Sequence, residues 1–174
     1  IELVKSGLKF VILREPSSWK DAGDVDILVA DVLEAEKILI HVGYLLISYR
    51  KGNRKYVRYD WSENQWIHLD VQCTLGYGFN EAPRRLILDI LARSYFSETG
   101  IPCLDPTDEA ILLILHLAVD KGCLSPNYKE RIFRHDKSWR SVHAESYSFL
   151  PRPIEEYLDI IDRLAEGKTS ESNA

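Results

Sequence analysis

Residues 23–31 read Gly-Asp-Val-Asp-Ile-Leu-Val-Ala-Asp (GDVDILVAD). Val25, Ile27, Leu28 and Val29 are β-formers without helical spacing, so the stretch predicts a strand. Side chains alternate along a strand, which points Asp24 and Asp26 to the same face. Their Cα atoms then stand roughly 6.5–7 Å apart, at ~3.3 Å per residue. Two carboxylates that close repel, and each resists ionisation. Three arrangements relieve the repulsion: a solvated strand end, basic side chains laid across it, or a divalent cation bound between the pair. Mg²⁺ suits the last, because it takes one or two carboxylates and leaves positions for phosphate oxygens. An Asp-x-Asp alone is common, so the solvated strand end is the default reading.

Upstream, LKFVIL (8–13) predicts a short strand and REPSSWKDAG (14–23) a loop. Downstream, residues 32–43 carry Val32, Ala35, Leu39 and Val42 at helical spacing, with Asp31 as N-cap and Gly43 as the stop. YLLISYR and RKYVRYDW flank a turn at Gly52-Asn53 and predict a hairpin. QWIHLDVQ (65–72) predicts another strand, with Ile67, Leu69 and Val71 on one face and His68, Asp70 and Gln72 on the other. If that strand lies beside the Asp24–Asp26 strand, three carboxylates converge at one edge of the sheet. Such a site suits two divalent metals, one activating an attacking hydroxyl and the other holding a triphosphate.

The character changes near residue 80. EAPRRLILDILARS predicts a helix and YFSETGIPCLD an extended, turning connection. Residues 105–122 give the clearest helix, capped by Thr107 or Asp108 and ended by Gly122. A short helix is expected from Pro126 or Asn127, an irregular stretch over 138–153, and a last amphipathic helix with Ile154, Leu158, Ile161 and Leu164 on one stripe. KTSESNA is expected to be a disordered tail. The expected architecture is therefore an α/β (α+β) core over residues 1–80, a mainly helical lobe over 81–166 and a polar tail over 167–174.

A length of 174 residues allows one domain or two small lobes, and contents of 45% hydrophobic and 28% charged residues are those of an ordinary globular protein. The longest apolar run, Ala110 to Val119, contains His116 and falls short of the ~18 residues of a membrane span. No signal peptide is visible, and no membrane partner is expected. The chain holds no methionine, so Ile1 is not expected to be the native start and further residues are expected upstream. A net charge of −5 argues against a dedicated nucleic-acid binder. It leaves room for a nucleotide site, where metal-bridged phosphates need only local positive charge. Cys73, Cys103 and Cys123 fit neither a disulfide framework nor a zinc site, and read as reduced thiols of a cytoplasmic protein.

LKFVILREPSSWKDAGDVDILV, followed by a helix and then WIHLDVQ, resembles the nucleotidyltransferase superfamily related to DNA polymerase β. The nearer likeness is to small prokaryotic members, and LLLILHLAVDKG in the helical half extends it over roughly residues 8–135. The resemblance implies a small mixed β-sheet with packed helices, followed by a helical lobe. It implies Mg²⁺-dependent transfer of a nucleoside monophosphate from an NTP, with ATP the first expectation. The acceptor would be a hydroxyl or similar group on a small molecule, a protein or an RNA end. Asp24 and Asp26 would bind metal, and Asp70 would bind a second ion and help activate the acceptor. Arg14, Ser17, Ser18 and Lys121 would neutralise the triphosphate. The sequence departs from the pattern at Leu13-Arg14-Glu15, where Leu-Arg-Gly would stand, and the Gly-Ser pair is absent in its standard form. That departure motivates the alternative of a catalytically silent nucleotide- or partner-binding module, and the resemblance itself implies a further one, an antitoxin-type partner protein.

Other residues carry a structural reading beside a functional one. Lys20 resembles Arg14 in position. The basic hairpin 50–58 reads as edge protection or as a surface for an anionic acceptor, with Tyr56 and Tyr59 for stacking. His68 reads as a structural histidine, a metal ligand or a hydrogen-bonding support for Asp70. His116 and Asp120 share a helix face without a zinc motif. WSENQW and LGYGFN flank the third-Asp strand and are placed to line a base or acceptor pocket. Nothing around Cys73 suggests a nucleophile.

Overall fold

Strand β1 (Phe10–Ile12) pairs antiparallel with β2 (Asp24–Val29), setting Phe10 opposite Val29 and Ile12 opposite Ile27. The computed structural model describes residues 2–13, 24–77, 80–121, 128, 149–150, 152 and 154–165. Asp31 caps α2 (Val32–His41) as expected: its carboxylate accepts the N–H groups of Leu33 at 2.8 Å and Glu34 at 3.3 Å. A short helix, α1 (Glu2–Lys5), precedes β1.

The hairpin joins β3 (Leu45–Arg50) to β4 (Asn53–Asp60), and β4 pairs antiparallel with β5 (Gln65–Gln72). β5 then returns parallel to β2. The hairpin turn is Lys51-Gly52, one residue earlier than the sequence reading, because Asn53 already pairs with Arg50. After α3 (Arg84–Arg93), the segment read as a connection folds into two short strands, β8 (Tyr95–Phe96) and β9 (Pro102–Cys103). β9 pairs parallel with β1, Cys103 beside Ile12. Strands of two residues are too short to show an alternation in sequence. The result is a seven-stranded mixed sheet in the order β3-β4-β5-β2-β1-β9-β8.

Helix α2 packs on one face of the sheet. Its Ala35 and Leu39, one turn apart, meet Phe10, Ile12, Val25, Ile27, Val29, Leu69 and Val71 in one buried cluster. Val11 and Leu28 alternate onto the other face and are fully buried. There α3 packs against β2 with Leu86, Ile87 and Ile90 buried. On the α2 side, Glu36 accepts hydrogen bonds from the Arg54 guanidinium and, at 3.0 Å, from the Tyr56 hydroxyl. Arg58 donates to the Val42 carbonyl at 3.2 Å and lies over the Tyr44 ring. These contacts tie β4 to α2, with Arg54 and Tyr56 buried.

The described residues of 1–75 and 84–105 form one compact unit, and those of 76–83 and from 106 onward a second. Residues 84–105 join the first unit because β9 adds to the sheet at β1. The second unit holds a two-stranded ribbon, β6 (Gly76–Tyr77) and β7 (Asn80–Glu81). It also holds α4 (Pro106–Leu115), which continues as a π-helix over His116–Lys121 and packs with α5 (Ile154–Ala165). Helix α4 begins at Pro106, so Thr107 and Asp108 lie inside its first turn instead of capping it, and Asp108 is buried. Leu158 and Ile161 of the expected α5 stripe are buried together with Tyr157. The short helix expected after residue 125 and the polar tail fall outside the described residues, as does most of the irregular stretch before α5. Among the described residues no helix is long and apolar enough to cross a membrane.

Two expectations follow for stability. Gly52 has φ 75°, and a Cβ there would meet the Thr74 side chain, its Cγ2 at 2.9 Å. Gly52→Ala is expected to cost about 2 kcal/mol, from the left-handed backbone and the collision together, read as a lower urea midpoint at unchanged m-value. Burial pushes the Tyr56 phenol from 10.0 up to about 12. The native phenol therefore keeps a proton that the unfolded chain releases from pH 10 upward, and stability falls as the pH rises from 10 toward 12. Tyr56→Phe should show a shallower decline of the urea midpoint over that window than wild type, and identical slopes would contradict the assignment.

Candidate functional site

The parallel pairing of β2 with β5 sets Asp26 opposite Asp70 and Asp24 opposite His68. Adjacent strands lie ~4.8 Å apart, so the third carboxylate arrives beside the first two. Val25, Ile27, Leu69 and Val71 turn into the cluster under α2. Alternation therefore sends Asp24, Asp26, His68 and Asp70 to the opposite face. The structure thus brings Asp24, Asp26 and Asp70 together on one face, two of them on one strand and the third on its neighbour.

Lys55 completes the cluster. On β4 it is the register partner of Asp70. Its ammonium donates to Asp24 Oδ2 at 3.1 Å and lies 2.9 Å from Asp70 Oδ2. The hydrogen bond to Asp70, then that to Asp24, raises the Lys55 pKa above 10.5, so the ammonium stays charged at neutral pH. The two carboxylates differ in exposure: the Asp24 side chain is 51% exposed and that of Asp70 only 13%. Asp70 Oδ1 is buried without a hydrogen-bond partner. His68 Nδ1 lies 3.9 Å from Asp24 Oδ1, so the histidine read as structural, as a metal ligand or as support for Asp70 stands against Asp24.

The donors are hard carboxylate oxygens, the chemistry that Mg²⁺ takes. The orphaned Oδ1 of Asp70 is an open acceptor for a cation or a hydroxyl proton. No group of three His, Cys, Asp or Glu among the described residues is set as a ready-made metal site, and the charge between Asp24 and Asp70 is met by Lys55. Of the three arrangements that relieve the paired aspartates, the structure shows a basic side chain on one member of the pair, Asp24, which Lys55 joins to Asp70. The donors therefore fit a divalent cation chemically, and Lys55 already contacts two of them.

The basic hairpin does not form a single cationic surface. Arg54 and Arg58 face α2, and Lys55 faces the carboxylates. Tyr56 is fully buried and unavailable for stacking. Tyr59, by contrast, shares the carboxylate face with Lys55, and its register partner is Trp66. The Tyr59 ring meets Trp61 edge-on at 4.6 Å and Trp66 at 5.1 Å between centroids. Trp61 and Trp66 are 85% and 56% exposed. The turn that carries Trp61 is held by Ser62, whose N–H and hydroxyl both donate to Asp60 Oδ1, and by the Tyr59 hydroxyl on Asn64. Along β5 the face reads Trp66, His68, Asp70, so an aromatic surface and the carboxylates lie on one side of one strand.

Arg14, Ser17, Ser18 and Lys20 fall outside the described residues. Lys121 is exposed at the last residue of the π-helix, in the second unit. His116 packs edge-on against Tyr128, with ring centroids 6.4 Å apart. Cys73 follows β5 and Cys103 is buried in β9, while Cys123 is outside the described residues. Lys55 was the residue hidden in the sequence. Its signal was the hairpin register, which places Lys55, Val57 and Tyr59 on one face of β4.

The profile of an uncharacterised nucleotidyltransferase family matches residues 17–127. Comparisons with curated proteins and with solved structures found no match. The matched region holds Asp24, Asp26, Lys55 and Asp70 and spans more than half of the sequence. The chain belongs to this uncharacterised nucleotidyltransferase family.

Proposed function

We propose that the chain transfers a nucleoside monophosphate from an NTP, ATP first, to a hydroxyl or similar acceptor at the face of Asp24, Asp26 and Asp70, with Mg²⁺ as cofactor. The observation that carries this reading is the register of Asp26 against Asp70 within the region that matches the family. In the reaction the acceptor oxygen bonds to the α-phosphorus, the bond to the β-phosphate oxygen breaks, and pyrophosphate leaves. Mg²⁺ bound there would supply neutralisation of the phosphate charge. Asp24 and Asp26 are the groups to hold it. Asp70 would share in that binding, and its Oδ1 is the atom open to the acceptor's proton. Arg14, Ser17 and Ser18 are assigned to the triphosphate in the same proposal. The cytoplasm, where nucleoside triphosphates are made and used, is the compartment this reading implies.

The Tyr59–Trp61–Trp66 surface is assigned to the nucleobase. Trp66 lies four residues along β5 from Asp70, about 13 Å at ~3.3 Å per residue, a distance that a nucleotide spans. Base stacking on aromatic rings contributes about 1–3 kcal/mol.

Two measurements test the proposal. Calorimetric titration of ATP, CTP, GTP and UTP with Mg²⁺ should show saturable, Mg²⁺-dependent binding to wild type, weakened at least ~tenfold in Asp26→Asn, as expected for a group at the ion. Undiminished binding by the folded variant would remove Asp26 from the site. Tryptophan fluorescence should be quenched by the bound nucleotide. Trp66→Ala should weaken its affinity by roughly fivefold or more, while an unchanged affinity would move the base elsewhere.

A further inference from the structure

We infer that Lys55 is the site's own counter-ion, competing with a divalent cation for the space between Asp24 and Asp70 and so setting how readily that cation enters. The inference rests on the metal-dependent reading above and concerns how that site is regulated. The ammonium contacts one oxygen of each carboxylate, at 3.1 and 2.9 Å. An ion held by those same two oxygens, at ~2.0–2.1 Å from each, would fall within the volume the ammonium fills. Two cations at that separation also repel strongly wherever water is partly excluded. The carboxylates can therefore serve the lysine or the ion, but not both in this arrangement.

Exchange, instead of simple vacancy, follows from the burial of Asp70. With a side chain only 13% exposed, its charge is costly unless a cation stands beside it. Lys55 supplies that cation from a strand whose backbone has little freedom. It is paired in register to Asp70, and its neighbours Arg54 and Tyr56 are bonded to Glu36 on the opposite face. Movement is left to the four-carbon stem, and 42% exposure of the side chain gives the ammonium a way out. Lysine suits this role better than arginine, because a compact ammonium on a flexible stem has no planar fork to hold it in place. A bare ion must displace the ammonium into water. An ion arriving with a triphosphate brings oxygens of its own and offers the ammonium a new anionic partner. The cation is thus expected to enter with the nucleotide.

The test is Mn²⁺ binding to the full chain without nucleotide, followed by electron paramagnetic resonance, for wild type, Lys55→Met and Lys55→Arg. Thermal melts with and without Mn²⁺ report that each protein is folded. Lys55→Met is expected to bind Mn²⁺ about tenfold more tightly than wild type, the effect of removing a like charge from its immediate surroundings. Its melting temperature should rise further on adding Mn²⁺. Lys55→Arg, which keeps the charge, should bind no more tightly than wild type. A purely structural lysine would give the opposite sign, with weaker binding once it is removed. Equal or weaker binding by folded Lys55→Met, where wild type binds, would overturn the counter-ion role and leave the metal reading standing. Absence of binding by both folded proteins would overturn the two together. Should Lys55→Met fail to fold, Lys55→Gln is read by the same criteria.

Discussion

Where β2 meets β5, Asp26 stands opposite Asp70 and Val25 opposite Leu69. Because side chains alternate with a period of two, a slip of one residue would turn Asp70 under α2 and expose Leu69 and Val71. Burial of those two side chains within the α2-side cluster prevents the slip. The packing that stabilises the sheet is therefore also what delivers the third carboxylate to the first two. The same alternation separates the two kinds of work. One face is closed by Ala35, Leu39 and the aliphatic side chains beneath them, and the other carries the charged groups.

Assembling carboxylates on one face of a sheet needs positive charge nearby, and the chain supplies it from β4. Consecutive residues there are sorted to opposite sides. Arg54 goes to Glu36 beneath α2, and Lys55 goes to Asp24 and Asp70. The choice of residue type fits each place. Arg54 is buried, where a guanidinium can spread its charge over several partners, Glu36 and the Tyr49 ring among them. Lys55 stands partly in water, where an ammonium can exchange one anionic partner for another. One hairpin strand thus fastens a helix on one side and balances a charged site on the other.

The central elements were legible in the sequence because their patterns are long enough to be distinctive. Asp31 announced α2, and the alternation in QWIHLDVQ placed Asp70 opposite the buried set. What could not be read locally was pairing between distant segments. The two-residue strands β8 and β9 have no period to detect, and β9 finds β1, Cys103 beside Ile12, only through tertiary contact. The basic run 50–58 looked like one feature when read by composition. In three dimensions it divides by parity, so its charge is not a shared surface. The π-helix over His116–Lys121 was likewise invisible. The run continues the helical pattern of α4, and the wider turn is a matter of hydrogen bonding that residue types do not announce.

Position along β5 gives the carboxylate face its direction. Trp66, His68 and Asp70 succeed one another on one side of the strand, and Tyr59, Val57 and Lys55 run beside them on β4. The aromatic end is held open by a turn with its own hydrogen bonds, from Ser62 to Asp60 and from Tyr59 to Asn64. Exposed tryptophans on a floppy turn would collapse onto the sheet or cost ordering entropy whenever a ring stacked on them. Here Trp61 and Trp66 are already braced edge-on by Tyr59, so stacking would add contact without first ordering the turn. Charged groups thus lie at one end of these strands and flat aromatic surface at the other. That polarity is set by the order of residues along two strands, the same order that fixes the sheet's register.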